Sequence, residues 1–132
     1  MSPPITVATR NPHKLRELAE ALPGFELVAL PEEVELPPED SETFSGNALG
    51  KARAAHAATG GAVIADDSGI EAAALGGRPG VRSARYAGEG ASDAQNLAKL
   101  LGALAGAKDQ RLAYVCALAY IGADGEEELF EG

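Results

Sequence analysis

A single cysteine, Cys116, excludes an internal disulfide. It lies in an apolar run and reads as a small core residue. Only two histidines occur, His13 and His56, and they lack zinc-ligand spacing with the cysteine. No Ser-His-Asp arrangement can be assigned. The basic excess that nucleic-acid backbones call for is missing: 11 lysines and arginines against 20 acids leave a net charge of −9. No apolar run approaches membrane-spanning length. The N-terminus lacks a basic region followed by an apolar stretch. The expectation is a cytoplasmic protein that binds neither nucleic acid nor a membrane. The glycines of a P-loop are missing, and Gly76-Gly77 with Gly80 is too loose for a dinucleotide fingerprint. Internal repeats and linkers are missing too. The 132 residues therefore read as one domain, and 45% hydrophobic residues suffice for a core.

What is present is an alternation of short strands and helices. Ile5 to Ala8 reads as a buried strand. The next segment, Pro12 to Leu22, places Leu15, Leu18, Ala19 and Leu22 at helical spacing. Asn11 is its candidate N-cap, Pro12 suits the first helical position, and Pro23-Gly24 stops it. Phe25 to Leu30 is a second strand. Pro31 to Glu42 is an acidic, proline-bearing loop, long enough to carry function. Thr43 to Thr59 reads as a helix with Phe44, Ala48, Ala52 and Ala55 on one face. Ala62 to Ala65 is a third strand. Ser92 and Gln95 make a capping-box pattern for a helix whose apolar stripe is Leu97, Leu100, Leu101 and Leu104. Arg111 to Ile121 is a long strand, Asp124-Gly125 a hairpin signal, and Glu126 to Phe130 the return strand.

Three segments could carry chemistry. Thr9-Arg10-Asn11-Pro12-His13-Lys14 joins a strand to a helix N-terminus, where backbone N–H groups and the helix dipole favour an anion. An ordinary capped connection would look the same. Glu39-Asp40-Ser41-Glu42 precedes a helix bearing Asn47, Lys51 and Arg53, though most acidic loops are simply solvated. Asp66-Asp67-Ser68-Gly69 places two carboxylates at a strand end, ahead of a Gly/Pro-rich loop with Arg78, Arg82 and Arg85. Carboxylates hold Mg²⁺ and arginines hold phosphate oxygens, which suggests a metal-bound polyphosphate. The same four residues also make a plain turn. The acidic balance is no obstacle to a free nucleotide, because a few cations and Mg²⁺ neutralise one triphosphate. His56, in an alanine-rich helix, reads as structural or exposed.

Taken together, these segments resemble the Ham1/inosine triphosphatase family, the noncanonical purine nucleoside triphosphate pyrophosphatases, also called dITP/XTP pyrophosphatases. The matching elements are Thr9-x-Asn11-x-x-Lys14, Glu39 with Thr43-Phe44-x-x-Asn47-Ala48-x-x-Lys51-Ala52, and Ala65-Asp66-Asp67-Ser68-Gly69. Pro79-Gly80-Val81-x-Ser83-Ala84-Arg85-Tyr86-Ala87-Gly88 and Asp93-x-x-Asn96-x-x-Lys99-Leu100-Leu101 complete them. The resemblance implies an α/β fold, with a long twisted mixed sheet flanked by helices in two lobes and a nucleotide cleft between them. It implies Mg²⁺, purine nucleoside triphosphates as substrates, and a homodimer. It makes Asp67 the general base and a metal ligand, and Glu39 the second metal-linked acid, although Ser41 stands where a glycine is usual. Thr9, Arg10, Asn11, Pro12, His13 and Lys14 would wrap the triphosphate. Lys51, Ser68 and Arg85 would contact phosphate or the neighbouring sugar.

The resemblance implies that family members continue past this point into a Phe-Gly-Tyr-Asp segment, a further lysine and a Ser-His-Arg motif that hold the base and part of the phosphate. None of these occurs here, so the chain reads as the N-terminal part of such an enzyme. The expected reaction is Mg²⁺-dependent hydrolysis of ITP, dITP or XTP to monophosphate and pyrophosphate. The alternatives are a catalytically impaired nucleotide-binding fragment and a Maf-like pyrophosphatase acting on other bases.

Overall fold

Short strands alternate with helices in the first half of the chain and give way to long strands in the second. The computed structural model describes residues 3–132. It opens with β1 (Ile5–Val7), α1 (Pro12–Ala21), β2 (Leu27–Ala29), α2 (Phe44–Thr59) and β3 (Ala62–Ala72). Two 3-10 turns (Ala73–Leu75 and Gly80–Arg85), α3 (Asp93–Leu104), β4 (Leu112–Ile121) and β5 (Glu127–Glu131) follow. One mixed sheet runs in the order β2-β1-β3-β4-β5. β1 is parallel to both β2 and β3, while β3–β4 and β4–β5 are antiparallel. Among the described residues no helix is long and apolar enough to cross a membrane.

Local chemistry explains the helix boundaries. Asn11 Oδ1 accepts from the His13 N–H at 2.9 Å and caps α1. Thr43 Oγ1 accepts from the Gly46 N–H at 3.0 Å and caps α2. Gly60, at φ +73°, closes α2 in the left-handed conformation. Ser92 and Gln95 form the expected reciprocal box at the start of α3.

The two faces of the sheet are covered differently. On one, Phe44, Ala48, Ala52 and Ala55 of α2 pack against Val63, Ala65, Ala117, Ala119 and Ile121. On the other, Leu15, Leu18 and Leu22 lie over Ile5, Val7, Ala62 and Ile64. A third cluster, Ala72 with Leu100 and Leu104, sits at the far end of β3 with Ile70, Leu75 and Tyr86 and seats α3 there.

Two expectations need correction. The third strand does not end at Ala65; it runs through Asp66-Asp67-Ser68-Gly69 to Ala72. Turn propensity loses because β4 pairs with this segment continuously, from Val63↔Ile121 to Ala72↔Leu112. On α3 only Leu100 and Leu104 of the leucine stripe are buried, whereas Leu97 and Leu101 are more than half exposed. Its inner face is narrower because Asn96 takes the third inward position, and its side chain bonds the Ala87 N–H and the Ala84 carbonyl.

Gly69 marks a close approach between β3 and the second 3-10 turn. A Cβ there would lie 2.5 Å from both the Gly80 carbonyl oxygen and Ser83 Oγ. Ser83 is fixed by accepting from the Ile70 N–H at 2.9 Å and donating to the Gly80 carbonyl at 2.6 Å. Gly69→Ala is therefore expected to destabilise the fold by about 1–3 kcal/mol. Gly61→Ala, where a Cβ meets nothing within 4 Å, should stay within about 0.5 kcal/mol. Urea unfolding of the two variants checks this; equal midpoints would refute the close approach.

Candidate active site

Successive side chains of a strand point to opposite faces. Asp66 and Asp67, both buried in the middle of β3, therefore diverge. Asp67 follows Val63 and Ala65 to the α2 face, and Asp66 follows Ala62 and Ile64 to the α1 face.

On the α2 face, Asn47 and Lys51 stand one helical turn apart and both are buried. Asn47 Nδ2 donates to Asp67 Oδ2 at 2.9 Å, while its Oδ1 accepts from the Ser41 N–H at 2.9 Å. Lys51 Nζ donates to the Asp66 carbonyl oxygen at 2.6 Å and lies 3.5 Å from Glu39 Oε1. Arg85 Nη2 donates to the Glu39 carbonyl at 2.9 Å and braces the acidic loop. Glu39 thereby comes within hydrogen-bonding reach of Asp67. Burial pushes the Asp67 carboxyl up from its ordinary 3.8 to about 6. The Asn47 bond pulls it back, the bond and charge of Glu39 add to the rise, and Lys51 opposes.

On the α1 face, Lys14 Nζ lies 2.9 Å from Asp66 Oδ2. Burial lowers the Lys14 pKa, but its bond and charge interaction with Asp66 outweigh that and leave it above 10.5. Next to Asp66 on this face, Ser68 Oγ accepts from the Tyr114 hydroxyl at 2.8 Å. Cys116 pairs with Ser68 across the strands, and burial pushes its thiol up, which keeps it protonated and inert.

Two close carboxyls, Asp67 and Glu39, can hold a divalent cation. Among the described residues no three His, Cys, Asp or Glu side chains gather as a full cage. Mg²⁺ needs none, since it takes one or two carboxylates and fills its shell with water and substrate phosphates.

The Ham1 family model matches residues 5–132. The chain belongs to the Ham1 family. The dITP/XTP pyrophosphatase of Staphylococcus aureus (strain MW2) is 40% identical over 133 residues, which cover 97% of this chain and 67% of that protein. The dITP/XTP pyrophosphatase of Mycobacterium bovis is 47% identical over 131 residues, 92% of this chain and 64% of that protein. Among solved structures, the Staphylococcus aureus Ham1 protein superposes with a TM-score of 0.87 at 38% identity, over 98% of this chain and 69% of that one. A nucleoside-triphosphatase/dITP/XTP pyrophosphatase from Mycobacterium abscessus gives 0.82 at 46% identity, over 98% and 71%. The chain thus spans about two thirds of the length of the relatives it matches.

Of the residues that the Ham1 resemblance singles out, Glu39, Lys51 and Asp67 converge on the α2 face, and Lys14 and Ser68 lie on the other. Thr9 Oγ1 accepts from the Asn11 N–H at 3.1 Å, which leaves the Thr9 O–H and Asn11 Nδ2 as donors. Pro12 opens α1 and exposes no polar side-chain atom. His13 is exposed, and its Nδ1 lies 2.8 Å from an Arg16 nitrogen. The Arg10 guanidinium turns to the loop after β2. It donates to the carbonyls of Leu30 at 3.2 Å, Pro31 at 2.8 Å and Glu32 at 3.1 Å, and also to that of Val34. It is a clamp on the loop leading to Glu39. Arg85 Nη2 likewise donates to a backbone carbonyl, that of Glu39. His56 bonds the Gly61 carbonyl at 2.8 Å, a structural role as expected.

Sequence reasoning named Asn47 in a candidate segment without giving it a role, and missed Tyr114. Asn47 had a signal: it interrupts an otherwise apolar helix face one turn before Lys51. Tyr114 had none, because its meeting with Ser68 depends on the β3–β4 register.

Two outcomes follow from these contacts. Arg10→Ala should lower stability by about 1–2 kcal/mol and speed amide exchange at residues 31–34. Arg10→Lys should not restore it, because a point charge cannot bridge several carbonyls. Unchanged exchange in Arg10→Ala would refute the clamp. The second outcome concerns pH. Between about pH 4 and about pH 6 the folded chain holds a proton on Asp67 that the unfolded chain has released. Stability therefore falls as pH rises through that window, by on the order of 1–2 kcal/mol. In chelator, Asp67→Asn should be more stable than the parent at about pH 7.5 and converge with it near pH 4. Parallel urea midpoints across that range would contradict the raised Asp67 pKa.

Proposed function

We propose that this chain hydrolyses inosine- and xanthosine-type nucleoside triphosphates (ITP, dITP, XTP) to the monophosphate and pyrophosphate. The observation that carries the reading is the meeting of Asp67 and Glu39 beside Lys51 on the α2 face, one β-strand residue away from the Asp66–Lys14 pair. Asp67 and Glu39 would hold Mg²⁺. Bound there, Mg²⁺ would supply charge neutralisation for phosphate oxygens and acidify a water.

Asp67 orients the attacking water and accepts its proton. Glu39 is kept in place by Arg85 through its own backbone. Asn47 fixes one Asp67 oxygen and leaves the other for chemistry. Lys14 and Lys51 meet charge developing on the phosphates. The first turn of α1, with the Thr9 hydroxyl and Asn11 amide, offers further donors to the triphosphate. Mg²⁺ as the metal, a homodimer and a cytoplasmic location are part of the same proposal and rest on family membership.

Pyrophosphate release from ITP in the presence of Mg²⁺ tests the reading. In isotope-labelled water the label should enter the monophosphate; label recovered only in pyrophosphate would exclude attack at the α-phosphorus. Asp67→Asn keeps the shape but loses charge and basicity, so kcat should fall by about 10²–10⁴-fold. Near-normal turnover in that variant would reassign the base.

A further inference from the structure

Residue 66 touches both lysines of the site. Its carboxylate holds Lys14 on the α1 face at 2.9 Å, and its backbone carbonyl accepts from Lys51 on the α2 face at 2.6 Å. We propose that Asp66 is a positioning residue that fixes the Lys14 ammonium at the phosphate loop, a role distinct from that of Asp67; the proposal rests on the pyrophosphatase reading above.

Three observations carry it. First, the pair is not a surface salt bridge. The Asp66 side chain is 9% exposed and that of Lys14 24%. A carboxylate at that depth requires a partner, and among the described residues Lys14 is the cation at its side chain. Second, Lys14 has a competing partner. Glu17 Oε2 lies 3.9 Å away, one turn along α1, with its side chain 70% exposed. Without the Asp66 charge, the flexible four-carbon stem is free to swing outward to Glu17 and solvent. Third, strand alternation separates Asp66 from the groups a base or metal ligand would need. Glu39 and Asn47 meet Asp67 on the other face. Asp66 therefore acts on the reaction through Lys14. The Lys51 bond uses the backbone, so substitution at residue 66 leaves that contact available and isolates the effect on Lys14.

The test is a double-mutant cycle on the full chain. Asp66→Asn, Lys14→Met and the double variant are compared with the parent. In Asp66→Asn, kcat for ITP with Mg²⁺ should fall about 10- to 100-fold through misplacement of Lys14. KM should move by less than about threefold, because removing a negative charge near the phosphates offsets the lost orientation. In the Lys14→Met background, Asp66→Asn should change kcat by less than about twofold. An equal loss in both backgrounds would show that Asp66 acts by itself, and the proposal would fail.

A second readout does not depend on turnover. The Lys14 side-chain ammonium, held by Asp66, should give a sharp ¹H–¹⁵N signal in the parent and lose it in Asp66→Asn. An unchanged signal overturns the proposal. Asp66→Glu keeps the charge and should retain the signal and keep kcat within about tenfold of the parent. If Asp66→Asn does not fold, this variant decides: signal kept supports the role, signal lost refutes it. A parent chain that shows the expected signals but no ITP turnover would refute the pyrophosphatase reading and leave the placement of Lys14 standing.

Discussion

The site depends on the twofold alternation of β3. Two identical acids, adjacent in sequence, face opposite sides of one strand. Each side presents its own cation: Lys51 from α2 and Lys14 from α1. A turn at Asp66-Asp67 would have put both carboxylates on one exposed edge, with like charges a few ångströms apart. The sheet keeps them apart and buries both. β4 makes this possible, because its ten residues pair with β3 past the acids and on to Ala72.

Loops complete the arrangement from either side. The acidic loop reaches Asp67 because it is tied at several points. Arg10 grips its first residues, Arg85 holds the Glu39 carbonyl, and Asn47 accepts from the Ser41 N–H. Both arginines bond backbone carbonyls and so help to build the frame in which a carboxylate is presented. Arginine suits that work, since its planar fork can bond several carbonyls at once.

Much of this was legible in the sequence. The helices, their caps, the hairpin and the alanine face of α2 follow from spacing, capping and turn chemistry, whereas the convergence of the charged segments is what the Ham1 resemblance implies. Asp66-Asp67-Ser68-Gly69 was harder. Its residues favour turns, and only long-range pairing with β4 makes them a strand. The divergence of the two acids followed from that missed strand. The destinations of Arg10 and Arg85 were illegible for a different reason: a guanidinium bonds a carboxylate, a phosphate or a backbone carbonyl with similar chemistry, and only the tertiary path of the chain selects among them. The narrow inner stripe of α3 likewise depended on Asn96 serving the Ala84–Ala87 backbone.

The inner face of α2 has one more implication. Ala48, Ala52 and Ala55 are wholly buried, so a layer of single methyl groups sets the gap between this helix and the sheet. Lys51 and Asn47 project from the same helix across that gap to β3. The alanines thus act as a spacer whose thickness determines the reach of the reactive groups. Any larger side chain in that layer would lift the helix and open the contacts of both polar residues together. Core volume and chemical geometry cannot drift independently in this part of the molecule. A variant selected only for a better-filled interior would be expected to lose its chemistry first.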